Sequence, residues 1–237
     1  MYPFITFLSV LLSGVTFVLA QSACSSPEVT VNLRVEGYWD TFYEGPVTTC
    51  GHDVTTPSGG THRCDGTNNG AQLSPSPTVT GVLDTAAGLW NFTWDGTYDI
   101  KVDDFNVTAI NGHQRVWSPF VNWGFVSING CQVPLKTGDS VLWIQLRPDI
   151  KSVLKLDGPN TVVANEPFKL TVMDGFRHLP VEGATIRNHG TSDKDGHITL
   201  TLADQGIYKL KAEKQDAIRS NAVWIQVLPQ EDKPKEG

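Results

Sequence analysis

The stretch Trp123-Gly124-Phe125-Val126-Ser127-Ile128-Asn129-Gly130-Cys131, continued by Lys136-Thr137-Gly138-Asp139-Ser140-Val141-Leu142-Trp143, decides the fold. An aromatic opens a strand at Trp123. Asn129-Gly130 supplies a tight turn, because both residue types tolerate positive φ. Gly138-Asp139 supplies a second turn, and an alternating strand follows to Trp143.

Upstream, Val29-Thr30-Val31-Asn32-Leu33-Arg34-Val35 alternates apolar and polar residues, the pattern of a half-buried strand, and Phe42 to Val47 is placed to pair with it. Thr48 to Pro77 is rich in Gly, Thr, Asn, Ser and Pro and reads as one long loop, about twice the ~15 residues at which structureless connections become uncommon. Val79, Val82, Leu83, Ala86 and Ala87 recur at helical spacing, with Gly88 where a C-terminal cap belongs. Phe105 to Ile110 is a strand ending in the turn signal Asn111-Gly112. Strands around one helix predict an α+β layer.

Downstream, short runs at Ser152–Leu156, Phe168–Met173, Ala184–Arg187, His197–Leu202, Ile207–Ala212 and Ala222–Val227 are separated by turn signals such as Asp174-Gly175 and Asp195-Gly196. Strands at this spacing predict a β-sandwich. The two parts differ in charge. Residues 21–150 carry 6 Lys+Arg against 13 Asp+Glu, whereas residues 151–237 carry 12 of each. Six of the seven tryptophans and all four cysteines also fall before residue 150, so a boundary is expected near Arg147-Pro148-Asp149.

Met1 to Ala20 is almost wholly apolar and ends in the small-residue site Val18-Leu19-Ala20. It reads as a secretory signal peptide cut before Gln21. Because its n-region has no Lys or Arg, an uncleaved signal anchor is the other reading of the same run. The last residues, 230–237, are expected to form a charged flexible tail. The expected product is secreted, extracellular or wall-associated. An even cysteine count in such a chain implies two disulfides among Cys24, Cys50, Cys64 and Cys131, with three connectivities open. Asn91-Phe92-Thr93 and Asn106-Val107-Thr108 are N-glycan sequons. The acidic first part argues against nucleic acid, which needs clustered Lys and Arg, and against docking on anionic lipid.

Residues from about Glu28 to Trp143 resemble the transcobalamin-like C-terminal family of β-grasp domains. The resemblance is carried by Cys64-Asp65-Gly66-Thr67-Asn68-Asn69-Gly70, Trp94-Asp95-Gly96-Thr97-Tyr98, Asp103-Asp104-Phe105, Trp123, Asn129-Gly130-Cys131-Gln132 and Gly138-Asp139 before Trp143. Secreted fungal and actinobacterial proteins look similar here. The following part resembles Ig-like modules through Pro180-Val181-Glu182-Gly183-Ala184, Thr191 to Gly196, Gly206-Ile207-Tyr208 and Arg219-Ser220-Asn221. The resemblance implies an α+β β-grasp-like domain over 21–148, an all-β Ig-like sandwich over 149–229, and a ligand-facing sheet. It also implies that Cys64 pairs with Cys131, leaving Cys24 with Cys50. Cobalamin is not carried over, because the helical partner domain of transcobalamin has no counterpart here, and no cofactor is expected.

The sequence has no Gly-x-Ser-x-Gly elbow and no His-Glu-x-x-His. Asp95, Asp99, Asp103 and Asp104 offer carboxylates of the kind a glycosidase pairs, although solvated turn residues are the commoner reading. His52, His62 and Cys64 with Asp53 and Asp65 lack a metal-ligand spacing, so no metal site is assigned. Asp193-Lys194-Asp195-Gly196 reads as a hairpin turn rather than a calcium loop.

Trp90, Trp94, Tyr98 and Trp117 are the candidate ligand contacts, since flat aromatics beside Asp and Asn suit stacking on sugar rings or an apolar ligand. Tryptophan is also commonly a core residue. The expected function is a secreted, non-enzymatic binding protein that adheres to glycan or a host surface. A cobalamin-like small-molecule carrier is the first alternative and a secreted glycoside hydrolase the second. A carrier needs a concave pocket of ~300 Å3 or more, and an adhesin a flat aromatic face.

Overall fold

The computed structural model describes residues 24–230. The expected signal peptide, 1–20, and the tail beyond Gln230 lie outside the described residues. Strands hold 48% of the described residues and helices 9%, with one α-helix and several small sheets among them. The expected α+β β-grasp followed by an Ig-like sandwich is therefore overturned in favour of a mostly β molecule. The physical reason lies partly in Thr48 to Pro77. This span folds into a hairpin of His52–Thr56, which alternates in burial, and Gly60–Cys64, which buries only Cys64, and its Thr- and Gly-rich composition hides both strands.

The centre is a five-stranded sheet in the order Thr41–Thr49, Val29–Glu36, Ser140–Gln145, Trp117–Val121, Gly124–Phe125. Val29–Glu36 runs parallel to Ser140–Gln145 and antiparallel to Thr41–Thr49. Because side chains alternate across a strand, Val31, Leu33, Val35, Val141 and Trp143 share one face. They pack on Val79, Val82, Leu83 and Ala86 of the helix Val79–Trp90. Thr78 caps that helix by accepting from the Gly81 amide. The helix runs through Gly88 and ends at Asn91, whose left-handed φ of 56° makes the C-cap instead.

Two readings of the deciding stretch are corrected. Trp123 does not open a strand. It follows Asn122 in a two-residue turn, with φ of 49° and 68°, that joins Trp117–Val121 to Gly124–Phe125. Asn129-Gly130 is not a tight turn either. It leads into a 3-10 turn over Gly130–Gln132, and a Cβ on Gly130 would come within 2.3 Å of the Thr80 hydroxyl. Glycine is needed there for close approach to the helix. Gly138, at φ 90°, does form the expected turn, but the strand after it is buried on both faces rather than alternating.

Cys24 is bonded to Cys50, and Cys64 to Cys131, the pairing that the resemblance implies. The second bond ties the added hairpin to the 3-10 turn and closes 67 residues of chain.

The described residues of the C-terminal half are strand and turn throughout. Strands at Ser152–Asp157, Pro167–Asp174, His197–Thr201, Gly206–Leu210 and Val223–Leu228 lie where the sequence placed them. They bury Leu154, Leu170, Val172, Ile198, Leu200 and Ile225 in a second core. A third, smaller core of Phe120, Leu142, Ile144, Val153 and Ile218 draws on both halves. The second face of the five-stranded sheet therefore meets the C-terminal half, not water.

Candidate functional site

That second face carries Asn32, Arg34 and Glu36 from one strand. Ser140, Leu142 and Ile144 are their register partners, and Pro46 and Glu44 stand opposite Asn32 and Arg34 on the other side. Near Glu36 the face is closed. Glu36 is fully buried and accepts from Lys211 Nζ at 2.6 Å, Arg219 Nη2 at 2.8 Å and Thr41 Oγ1 at 3.0 Å. Glu44 uses one oxygen on the Ala222 amide at 2.6 Å and the other on Lys211 at 3.0 Å. Arg219 Nη1 also donates to the Trp39 carbonyl. Every one of these contacts except Glu36–Thr41 crosses between the halves.

Towards Asn32 the halves part, leaving a cavity of about 500 Å3. Asn32, Arg34, Ser140 and Leu142 floor it. Glu44, Gly45 and Pro46 form one wall, Trp123 lines it as well, and Lys155, Asn221, Ala222 and Trp224 come from the C-terminal half. The Asn122–Trp123 turn puts the ring in place. A bulky residue at positive φ is an outlier, and the C-terminal half receives it. A Cβ on Gly175 would come within 2.0 Å of the Trp123 ring, so only glycine leaves room. Trp224 stands exposed on the rim, with Lys209 Nζ 5.2 Å from its ring centre. Asn221 is fixed by two bonds to the backbone of Leu156.

Arg34 is only 6% exposed. Its Nη1 donates to the Arg219 carbonyl at 3.0 Å, and its guanidinium lies 5.5 Å from the Trp123 ring centre. Burial pulls its pKa below the ordinary value, and the charges of Glu36 and Glu44 pull it back up. An arginine side chain stays cationic in such a setting.

The four expected contact residues do not form an exposed aromatic face. Trp94 and Trp117 are buried, with their indole N–H groups donating to Asp84 and to the His113 carbonyl. This is the core role open to any tryptophan whose polar edge finds a partner. Trp90 is exposed at the helix end beside Tyr43. Tyr98 is half-buried, stacked on His62 at 3.5 Å, with its hydroxyl on Asp103. Burial and the neighbouring Asp103 carboxylate push the Tyr98 phenol up to about 12.

The acidic candidates hold turns. Asp95 binds Ser58 at 2.6 Å, and Asp103 binds Arg63 at 3.3 Å and the Asn69 amide at 2.7 Å. Asp104 is fully buried, with one oxygen on two backbone amides and the other without a partner among the described residues. Burial pushes its carboxyl up to about 7. His52 is bonded to the Cys50 carbonyl and to Asp84 at 3.2 Å, and its ring is pulled towards the charged form by these partners against burial. Asp193 accepts from the Asp195 and His197 amides and so closes its hairpin turn. Asn91 and Asn106 of the two sequons are exposed.

The groove residues escaped the sequence reading. Charged residues at the outward positions of an alternating strand look alike whether they meet water or opposite charges. The one usable signal was the density of Lys and Arg in residues 207–219 against the acidic first part. No helix among the described residues is long and apolar enough to cross a membrane, and two disulfides fit an oxidising, extracellular setting. No family model matches the chain, nor does any curated protein or solved structure, so the resemblance to transcobalamin-like domains gains nothing from these comparisons.

Proposed function

We propose that this chain is an extracellular, non-catalytic binding protein that seats a sugar ring of a glycan in the groove between its halves. One observation carries this reading: a cavity of about 500 Å3 with Trp123 and Trp224 beside a polar floor of Asn32 and Ser140. Binding sites of this kind are concave, hold a few hundred Å3 or more, and combine aromatic surface with a few placed polar groups. The glycan reading thus moves from Trp94 and Trp117, which are core, to the groove. The carrier alternative shares the same cavity, because its volume exceeds the ~300 Å3 a small ligand needs. N-glycans at Asn91 and Asn106 belong to the same proposal.

The test is tryptophan fluorescence of the purified protein titrated with cellotriose, chitotriose, trigalacturonate and cobalamin. A saturable change with a saccharide is expected. It should weaken at least tenfold in Trp224→Ala and Trp123→Asn, while Trp90→Ala leaves it unchanged. Response to cobalamin alone would support the carrier. Saccharide binding that survives both groove variants would overturn the site.

A further inference from the structure

The charges around the groove do not balance internally. Glu36 takes Lys211 at 2.6 Å and Arg219 at 2.8 Å, and Glu44 takes Lys211 at 3.0 Å and Lys209 at 3.9 Å. Lys155 on the groove lining is held by Asp157 at 2.9 Å. Arg34 is the cation left over. Glu44 is its partner in the strand register, yet both Glu44 oxygens turn to the C-terminal half. No carboxylate comes within 4.0 Å of Arg34 among the described residues, and of its donors only Nη1 is bonded, to a neutral carbonyl. A guanidinium carries five N–H donors in a planar fork. Here that fork is more than nine-tenths buried and lines the cavity. Burying a charge without an opposite partner is costly, and buried charges are ordinarily paired.

We infer that the ligand of the groove is acidic and presents an oxyanion, a carboxylate in an acidic sugar, to the free edge of Arg34. Two parallel N–H···O bonds from a guanidinium to a carboxylate are the strong, oriented form of this contact. The same fork accepts a phosphate or sulfate. Trp123 lies against Arg34 and fixes the ring beside the charged group. The inference rests on the groove being the binding site and adds the charge class of what binds there.

The experiment compares trigalacturonate with its fully methyl-esterified form, which keeps the rings and removes the charge, by fluorescence and calorimetric titration of the full chain at pH 7. Glucose 6-phosphate and inorganic phosphate are run alongside. The acid is expected to bind at least tenfold more tightly than the ester, and Arg34→Met should abolish that preference with an unchanged melting profile. Arg34→Lys keeps the charge without the fork and should recover only part of it. Arg34-dependent binding of the phosphate compounds, without galacturonate, would keep the oxyanion and assign it to a phosphate. Equal binding of acid and ester would overturn the inference and leave the groove reading intact. Absence of binding by every saccharide and phosphate would overturn both.

Discussion

The two faces of the five-stranded sheet are built on opposite rules. On one face Val31, Leu33, Val35, Val141 and Trp143 meet the helix with no charge between them. On the other, Arg34, Glu36 and Glu44 meet Lys211 and Arg219 from a distant part of the chain. The apolar face is non-directional and tolerates repacking. The ionic face has to be satisfied bond by bond, because each buried charge that loses its partner keeps its desolvation cost. Such a face fixes how the two halves sit, and at its open end it leaves a shaped cavity. One side of the sheet thus holds the apolar core under the helix, and the other holds both the ion pairs that join the halves and the groove beside them.

The largest effect is expected on the ionic face. Glu36→Gln leaves Arg219 without a carboxylate and Lys211 with Glu44 alone in a buried site, and should cost about 3 to 5 kcal/mol in denaturant unfolding. A loss under about 1 kcal/mol would show that water reaches the network. On the apolar face, Leu33→Ala removes a side chain 1% exposed and should cost roughly 3 kcal/mol, with little change in any ligand titration.

Asp104 sharpens the contrast between paired and unpaired charge. Its folded carboxyl titrates near 7 against an ordinary 3.8, because burial outweighs its backbone hydrogen bonds. The folded state therefore holds this proton more tightly than the unfolded chain does. The stability it contributes is complete below about pH 4 and is lost as pH rises through 7. Between pH 5 and 8 the loss from this group is about 2 to 3 kcal/mol. In Asp104→Asn that slope should disappear; a slope unchanged by the substitution would place the titrating group elsewhere. The smallest effect belongs to the rim. Trp224→Ala should change stability by less than about 0.5 kcal/mol, since the ring is 56% exposed.

Much of the strand pattern was legible in the sequence. Ser152, Pro167, His197, Gly206 and Val223 begin strands within one residue of where alternation and turn residues placed them. The helix was legible too, apart from its end, because Asn91 caps as well as glycine does. The hairpin His52–Cys64 was hidden because glycine and proline mark loops and Val54 is its one aliphatic residue, so no apolar alternation shows. Trp123 misled because a bulky aromatic favours strands, and only Gly175 and Arg34, far away in the sequence, explain its turn conformation. Of the candidate site little was legible. It exists only once residues 32–46, 123–142 and 155–224 are brought together, and single-strand periodicity contains no information about what lies across a face.

The most direct test is the unfolding free energy of Arg34→Met beside that of Glu36→Gln. If Arg34 is the surplus cation of the groove, its removal leaves no carboxylate unpaired. The change should then stay within about 1 kcal/mol of the parent protein while Glu36→Gln falls several-fold further. Equal losses in the two variants would make Arg34 a structural member of the ionic face and contradict its assignment to a ligand.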